Sequence, residues 1–464
     1  MVAPDRRDPR VVATPRHVGE VLARVLPWCE RRTDEAEEAM DRSAAILERE
    51  PDYGSYVPLS VATVPSRLAA IPAVAARLGG DPSAWSVREV GDGNINYVYI
   101  VEGPAGSVCV KQALTHIRIV DDWKLPLSRS LYEHAALVRH ARRSGHVPAV
   151  YHYEPGEAFV VMENLSRHVI WRKALIARER HATAAATIGR FLAETLFRSS
   201  DLSLPAAEKK REMAFFAGNT ALARITEDLV FTDPYHDHPM NRFTPALAPT
   251  VHGVWSDTAW KVAIQDLKFA FLTRAEALLH GDAHTGSVMV AADPEDIRVI
   301  DPEFALYGPM GFDLGAILAN LWLSFFSQDG HGPGATPMQD WLLGETLRLW
   351  ETFAARFAEL WRTERTGDAY PVALYDEAGS EAALDGVLAR VEEDALGFAG
   401  AKMTRRIIGL AKVADMETIA DPAVKVACER RALALARVLV VERRALGSVA
   451  AASARARQIL GEVQ

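Results

Sequence analysis

The string His280-Gly281-Asp282-Ala283-His284-Thr285-Gly286-Ser287 follows an apolar run, AEALL, and nineteen positions beyond Asp282 stands Asp301, with Glu303 close behind in VIDPEF. Phosphoryl transfer needs carboxylates in these two roles. One orients an attacking hydroxyl, and hard oxygen ligands a little further on hold a magnesium ion that bridges phosphates. Asp282 suits the first role, Asp301 and Glu303 the second. The gap between them accommodates a strand, a turn and a strand, which returns both sets to one edge of a cleft. Taken alone, HGDAH also reads as a metal site made of His280, Asp282 and His284, or as a polar turn, because short motifs recur by chance.

Four features upstream fit the same chemistry. Gly91-Asp92-Gly93-Asn94-Ile95-Asn96 lies between two strand-like runs. Glycines in such a turn let backbone N–H groups approach phosphate oxygens, although an ordinary hairpin uses the same residues. Lys111 ends the alternating run Val108-Cys109-Val110-Lys111, and Glu133 follows twenty-two positions later in a helical pattern. A kinase sets a strand lysine against the α- and β-phosphates and holds it with a helix glutamate, whereas the bland alternative leaves both in solvent. The apolar run Phe159–Met162 turns polar at Glu163 and Asn164, as an interlobe connector would. Each feature is weak singly. Their order, glycine turn, strand lysine, helix glutamate, connector, HGD and D-x-E, is mutually consistent.

Elements of two kinds must position these groups. Period-2 patterns predict strands at Trp85–Val90, Tyr97–Glu102, Ser107–Gln112, Val150–Tyr153 and Ala158–Met162, with a helix over Ser128–Arg143. Helical periods then predict His181–Phe197, Thr258–Glu276, Met338–Arg365, Glu381–Glu393, Ala401–Met416 and Ala423–Leu446, interrupted by a β segment around Ser287–Ile300. The expected class is α+β and bilobal: a small antiparallel β-lobe with one main helix, then a larger, mostly helical lobe carrying the catalytic loop. The expected divisions are 1–55, a partly helical extension, 56–165 and 166–464, with Pro51–Pro58 as a linker.

Composition narrows the partners. The 464 residues are 49% apolar and 24% charged, with a formal net charge of −9. Acidic balance argues against a nucleic acid or an anionic membrane as partner. The three cysteines, Cys29, Cys109 and Cys428, are far apart and read as buried thiols of a reducing compartment. The first residues carry no apolar leader, and the most apolar window, Gly315–Phe326, is too short and too polar for a membrane span. The expected location is the cytoplasm.

HGDAHTGSVMV followed by VIDPEFALYGPMGFDLGAILANL resembles the catalytic region of the 5-methylthioribose kinase family. The resemblance runs through VGDGNINYVYIVEG, VKQAL, VVMENLS, ITEDLVFTDPYHDHPMNRF and KMTRRIIGLAKVAD, covering roughly residues 56–445. It implies a protein-kinase-like fold and ATP- and magnesium-dependent phosphorylation of the sugar 1-hydroxyl, a step of methionine salvage, by a homodimer. It further implies Asp282 as base or orienter and Asp301 and Glu303 as magnesium ligands. The nucleotide would be met by Gly93, Asn94, Asn96, Lys111, Glu133, Glu163 and Ser287, and the sugar by Trp123, Asp282, Arg405 and Arg406. Adjacent arginines offer forked donors for hydroxyl and phosphoryl oxygens, while by pattern alone they read as a basic helix turn. Two departures stand out: Ala283 replaces the family's usual leucine, a packing change that leaves the carboxylate alone, and Lys124 follows Trp123 where proline is usual, which bears on the sugar's 5-substituent. Another pentose, such as 5-deoxyribose, therefore stands as the alternative substrate. Phosphorylation of an antibiotic by a same-fold enzyme is a further alternative, against which the arginine pair argues.

Overall fold

In the small lobe, alternation of buried and half-buried side chains builds the sheet. The computed structural model describes residues 51–91, 95–117 and 120–462. The expected helix before residue 50, and Gly93 and Asn94, lie outside the described residues. Two short helices, α1 (Val64–Ala69) and α2 (Pro72–Leu78), precede strands β1 (Ser86–Glu89), β2 (Asn96–Gly103) and β3 (Gly106–Ala113). A small hairpin, β4 (His116–Ile117) and β5 (Val120–Lys124), leads to α3 (Arg129–Arg143), and β6 (Val150–Glu154) and β7 (Phe159–Glu163) complete the lobe. The sheet is antiparallel in the order β1-β2-β3-β7-β6. Tyr99, Val101, Val108, Val110, Phe159 and Val161 point to one face, and Leu59, Val64, Leu68, Val74 and Leu78 cover it. The other face, through Val160 and Met162, joins the core of the large lobe beside Leu137 of α3.

This packing corrects the expected linker. Tyr56 Oη donates to the Ala113 carbonyl oxygen at 2.9 Å, and Leu59 N–H donates to Gln112 Oε1 at 2.7 Å. Residues that look like a connector are docked along β3, and their sparse apolar content conceals this because backbone and side-chain polar groups make the contact.

The large lobe opens with β8 (Val169–Ile170) and helices α4 (Trp171–Ile176), α5 (Ala184–Arg198), α6 (Ala206–Phe216), α7 (Thr220–Leu229), α8 (Ala248–Ser256) and α9 (Thr258–Thr273). Next come β9 (Ala277–Leu278), β10 (Val288–Val290), β11 (Ile297–Val299) and β12 (Tyr307–Gly308), in which β11-β10-β8 and β12-β9 pair as two small sheets. Helices α10 (Gly311–Ser327), α11 (Thr336–Thr363), α12 (Glu377–Ile408), α13 (Ala414–Glu417), α14 (Pro422–Val441), α15 (Arg443–Leu446) and α16 (Val449–Glu462) finish the fold. Every residue of α10 is buried. A helix that is apolar all round carries no amphipathic stripe, so its pattern reads as a hydrophobic window and not as a surface helix.

Helix α12 corrects a second expectation. Residues 381–393 and 401–416, expected as two helices, belong mostly to one, which ends at Gly409 and is followed by a loop and α13. The intervening Gly397 and Gly400 look like breakers. In the fold they admit close neighbours: a Cβ at Gly400 would meet the Ala436 carbonyl oxygen at 2.6 Å, and one at Gly397 would meet Leu267 at 2.8 Å. Similarly, the expected helix 423–446 is α14 and α15, parted at Glu442.

Candidate active site

The catalytic loop is held from below. Asp313, in the first turn of the buried helix α10, accepts the N–H of His280 at 2.6 Å and that of Gly281 at 3.0 Å. His280 Nε2 donates to the Ile300 carbonyl oxygen at 2.9 Å, tying the loop to the D-x-E segment. Gly281 has φ +85°, and a Cβ there would overlap the Phe304 carbonyl group. A side chain must therefore both enter the left-handed region, at about 1–2 kcal/mol, and displace the backbone beside Glu303. Gly281→Ala is expected to lower Tm by several degrees and kcat by at least tenfold, measured by thermal melting and steady-state kinetics; a variant equal to wild type in both would show that the loop tolerates another path.

Asp282 emerges from this loop as a half-buried carboxylate amid cations. Its Oδ1 accepts from Lys402 Nζ at 3.2 Å and lies 3.9 Å from Arg405 Nη1 and 3.9 Å from Arg406 Nη2; its Oδ2 lies 3.5 Å from His284 Nε2. Burial alone would raise the Asp282 pKa, but Lys402, His284, Arg406 and Arg405 outweigh it and hold the group well below the carboxylate range. His284 itself is driven far below the ordinary imidazole range, by burial first and then by Arg172, Arg406 and Lys402, against the pull of Asp282. Near pH 7 His284 is thus neutral, and the charges acting on Asp282 are Lys402, Arg406 and Arg405.

A second cluster joins Lys111 and Glu133 of the small lobe to Asp301 and Glu303 of the large lobe. Lys111 on β3 donates to Glu133 Oε1 at 2.7 Å and pairs with Asp301. Burial works against the ammonium, yet Asp301, Glu133 and Glu303 together keep it above its ordinary range, so Lys111 stays charged. Burial pushes Glu133 and Glu303 upward, opposed by Lys111. Asp301 adopts φ +70°, a conformation aspartate tolerates better than most residues, and its side chain is 45% exposed to the cleft. Glu303 is buried, accepts from Asn96 Nδ2 at 3.2 Å and lies 3.4 Å from Arg129 Nε. Oxygens of Glu133, Asp301 and Glu303 lie within 4.8 Å of one another. This all-oxygen donor set suits a small hard cation. Glu133 is buried against Lys111, whereas Asp301, although it too meets Lys111, opens to the cleft, so Asp301 and the adjacent Glu303 are the pair best placed to hold one.

The remaining expected residues fall as follows. Ser287 is buried, with Oγ 3.0 Å from the Asp282 carbonyl oxygen and accepting the His284 N–H at 2.9 Å, so it braces the catalytic loop. Glu163, at the end of β7, accepts the Ala149 N–H at 3.2 Å. Asn96 spends its amide on Glu303 and its carbonyl on Arg129. Trp123 packs beside Ile117, Leu125, Leu222, Ile225 and Leu229, in the cluster that also touches Phe304 and Leu410. Trp123 thus shares one apolar cluster with Phe304, the residue after Glu303, and with Leu410, shortly after Arg405 and Arg406.

Sequence reading passed over Lys402, Arg129, Asp313 and Asn219. Lys402, Arg405 and Arg406 stand at i, i+3 and i+4, the spacing of one helical face, which was a usable signal. Arg129 and Asn219 gave none. Asn219 Nδ2 donates to the carbonyl oxygens of Glu303 and Ala305, a role visible only in three dimensions.

The antiparallel β-lobe, the helical lobe and the Lys111–Glu133 pair facing Asp301 and Glu303 are the arrangement of a phosphotransferase with a protein-kinase-like fold. Residues 86–356 match the phosphotransferase enzyme family. Methylthioribose kinase of Escherichia coli O45:K1 is 43% identical over 398 residues, spanning 84% of this chain and 94% of that one. Methylthioribose kinase 1 of Oryza sativa subsp. japonica is 41% identical over 404 residues, spanning 85% and 94%. The chain belongs to the methylthioribose kinase family.

Proposed function

We propose that this enzyme transfers the γ-phosphoryl group of ATP to the 1-hydroxyl of 5-methylthioribose, giving 5-methylthioribose 1-phosphate in methionine salvage. One observation carries the reading: Asp282 Oδ1 is the convergence point of Lys402, Arg405 and Arg406. A half-buried carboxylate can orient a sugar hydroxyl there, and the adjacent arginines would neutralise charge on a transferred phosphoryl group. Asp282 aligns the hydroxyl and receives its proton as the new O–P bond forms and the bond from the γ-phosphorus to the ADP oxygen breaks. Lys111, set by Glu133, meets the α- and β-phosphates, under the turn around Gly93 and Asn94, and the connector at Glu163 meets adenine. Asp301 and Glu303 would hold magnesium, which when bound neutralises phosphate charge. The working form is a homodimer, as the family resemblance implies, and its place is the cytoplasm; the chain carries a formal net charge of −9, and no helix among the described residues is long and apolar enough to cross a membrane.

The test is turnover with ATP and 5-methylthioribose, 5-deoxyribose or ribose, with the product identified by phosphorus NMR. The apolar cluster around Trp123 should favour a methylthio tail over a bare hydroxyl by about ten- to two-hundredfold in kcat/KM. Trp123→Ala should raise the KM for sugar and spare that for ATP. Equal use of ribose and methylthioribose would overturn the substrate, and no turnover of any of the three would overturn the function.

A further inference from the structure

Three cations of α12 reach the Asp282 carboxylate, and they do not do so equivalently. Lys402 Nζ is within hydrogen-bond distance at 3.2 Å, whereas the nearest arginine nitrogens stand at 3.9 Å. All three lie on Oδ1, while Oδ2 faces His284. Lys402 is 3% exposed, and its ammonium sits 4.6 Å from the centroid of the Phe312 ring, which confines it further. The charged or titratable groups facing it are Asp282 and His284 from the catalytic loop, Asp313 from α10, and Arg405 and Arg406 from its own helix. Asp313 is committed to the His280 and Gly281 amides, which leaves Asp282 as the anion Lys402 serves. The arginines differ: Nε of Arg405 and Nε of Arg406 are buried and have no hydrogen-bond partner among the described residues. Each arginine thus keeps an unspent Nε donor, although Arg406 Nη1 is given to the Ala411 carbonyl oxygen at 3.3 Å, whereas the lysine ammonium is already engaged with Asp282.

We propose that Lys402 is the positioning residue of the catalytic aspartate: it pins Asp282 through Oδ1 so that Oδ2 is presented to the sugar hydroxyl, while Arg405 and Arg406 serve the phosphoryl group. The proposal rests on the function stated above and adds a division of labour along one helix face. A side chain that acts through Asp282 affects the chemical step and leaves nucleotide binding alone. Burial lowers the Lys402 pKa to about 8, with Arg405 and Arg406 adding to the effect and Asp282 opposing it. The ammonium is therefore present below about pH 8 and lost above it, and kcat/KM, which reports groups of the free enzyme, should fall on that alkaline side.

The experiment compares wild type, Lys402→Met and Lys402→Arg in the full chain with ATP and 5-methylthioribose over a pH series. Lys402→Met should lower kcat by about 10²-fold, at the low end of what a positioned proton acceptor contributes, with the KM for ATP held within about threefold. Lys402→Arg should recover at least about tenfold of that loss, because guanidinium also anchors one carboxylate oxygen, and should displace the alkaline limb upward by more than about one pH unit. Three results would overturn the proposal: Lys402→Met within threefold of wild type in kcat, a tenfold rise in the KM for ATP with the limb unmoved, or an unchanged limb in Lys402→Arg. Should Lys402→Met fail to fold, the limb in Lys402→Arg decides alone. Absence of wild-type turnover would reject the proposed function instead, so the two failures are told apart.

Discussion

Asp282→Asn is expected to lower kcat by about 10²–10⁴-fold while ATP binding stays near that of wild type. Asparagine keeps the shape of the side chain and loses the charge that makes Oδ2 a proton acceptor. The nucleotide contact proposed for Lys111 comes from β3 of the small lobe and is untouched. The substitution also leaves Lys402, Arg405 and Arg406 without their shared anion, so the variant should melt earlier and be rescued in part by phosphate. Steady-state kinetics with 5-methylthioribose, titration with a non-hydrolysable ATP analogue and thermal melts with and without phosphate make the measurement. A kcat within threefold of wild type would remove Asp282 from the mechanism.

The two acidic residues of the D-x-E segment should separate in a way their spacing does not suggest. Asp301→Asn, chosen over alanine because φ is +70°, removes charge from an exposed carboxylate and leaves Lys111 its Glu133 partner. It should raise the magnesium concentration for half-maximal rate at least about tenfold, since a hard cation loses an anionic ligand, and should spare stability. Glu303→Gln should show the same magnesium effect and also destabilise the fold by about 3–5 kcal/mol, because the buried Arg129 loses the one carboxylate that, among the described residues, lies within ion-pairing range. Magnesium titrations of rate, paired with denaturant melts, read both quantities. If neither variant alters the magnesium dependence, Asp301 and Glu303 are not the ligands; if both melt alike, the Arg129–Glu303 pair carries no net stability.

The elements that the sequence made legible are those with one wet face. Strand β2 and the start of β3 alternate, and α9 and α11 carry an apolar stripe, so period alone placed them to within a few residues. The illegible ones have no such contrast. Helix α10 is dry on every side, and the docked segment 53–59 is held by hydrogen bonds of Tyr56 and Leu59. Gly397 and Gly400 signal a break by propensity, and the close packing of α12 on α14 overrides it.

The candidate site divides in the same manner. Its chemistry is a matter of residue type and order, so Lys111, Glu133, Asp282, Asp301 and Glu303 could be named from the chain alone, as could the kinase family through its motifs. What tertiary structure decided is which charges meet. Asn96 and Arg129 close on Glu303 from the small lobe, Asp313 holds the HGD loop from within the core, and Lys402 reaches Asp282 across 120 positions of sequence. Such partners carry no periodic or spacing signal because electrostatic pairing depends on distance in space and on the exclusion of water. Both arise only when α10 and α12 pack beneath the loop and the two lobes close on the carboxylates.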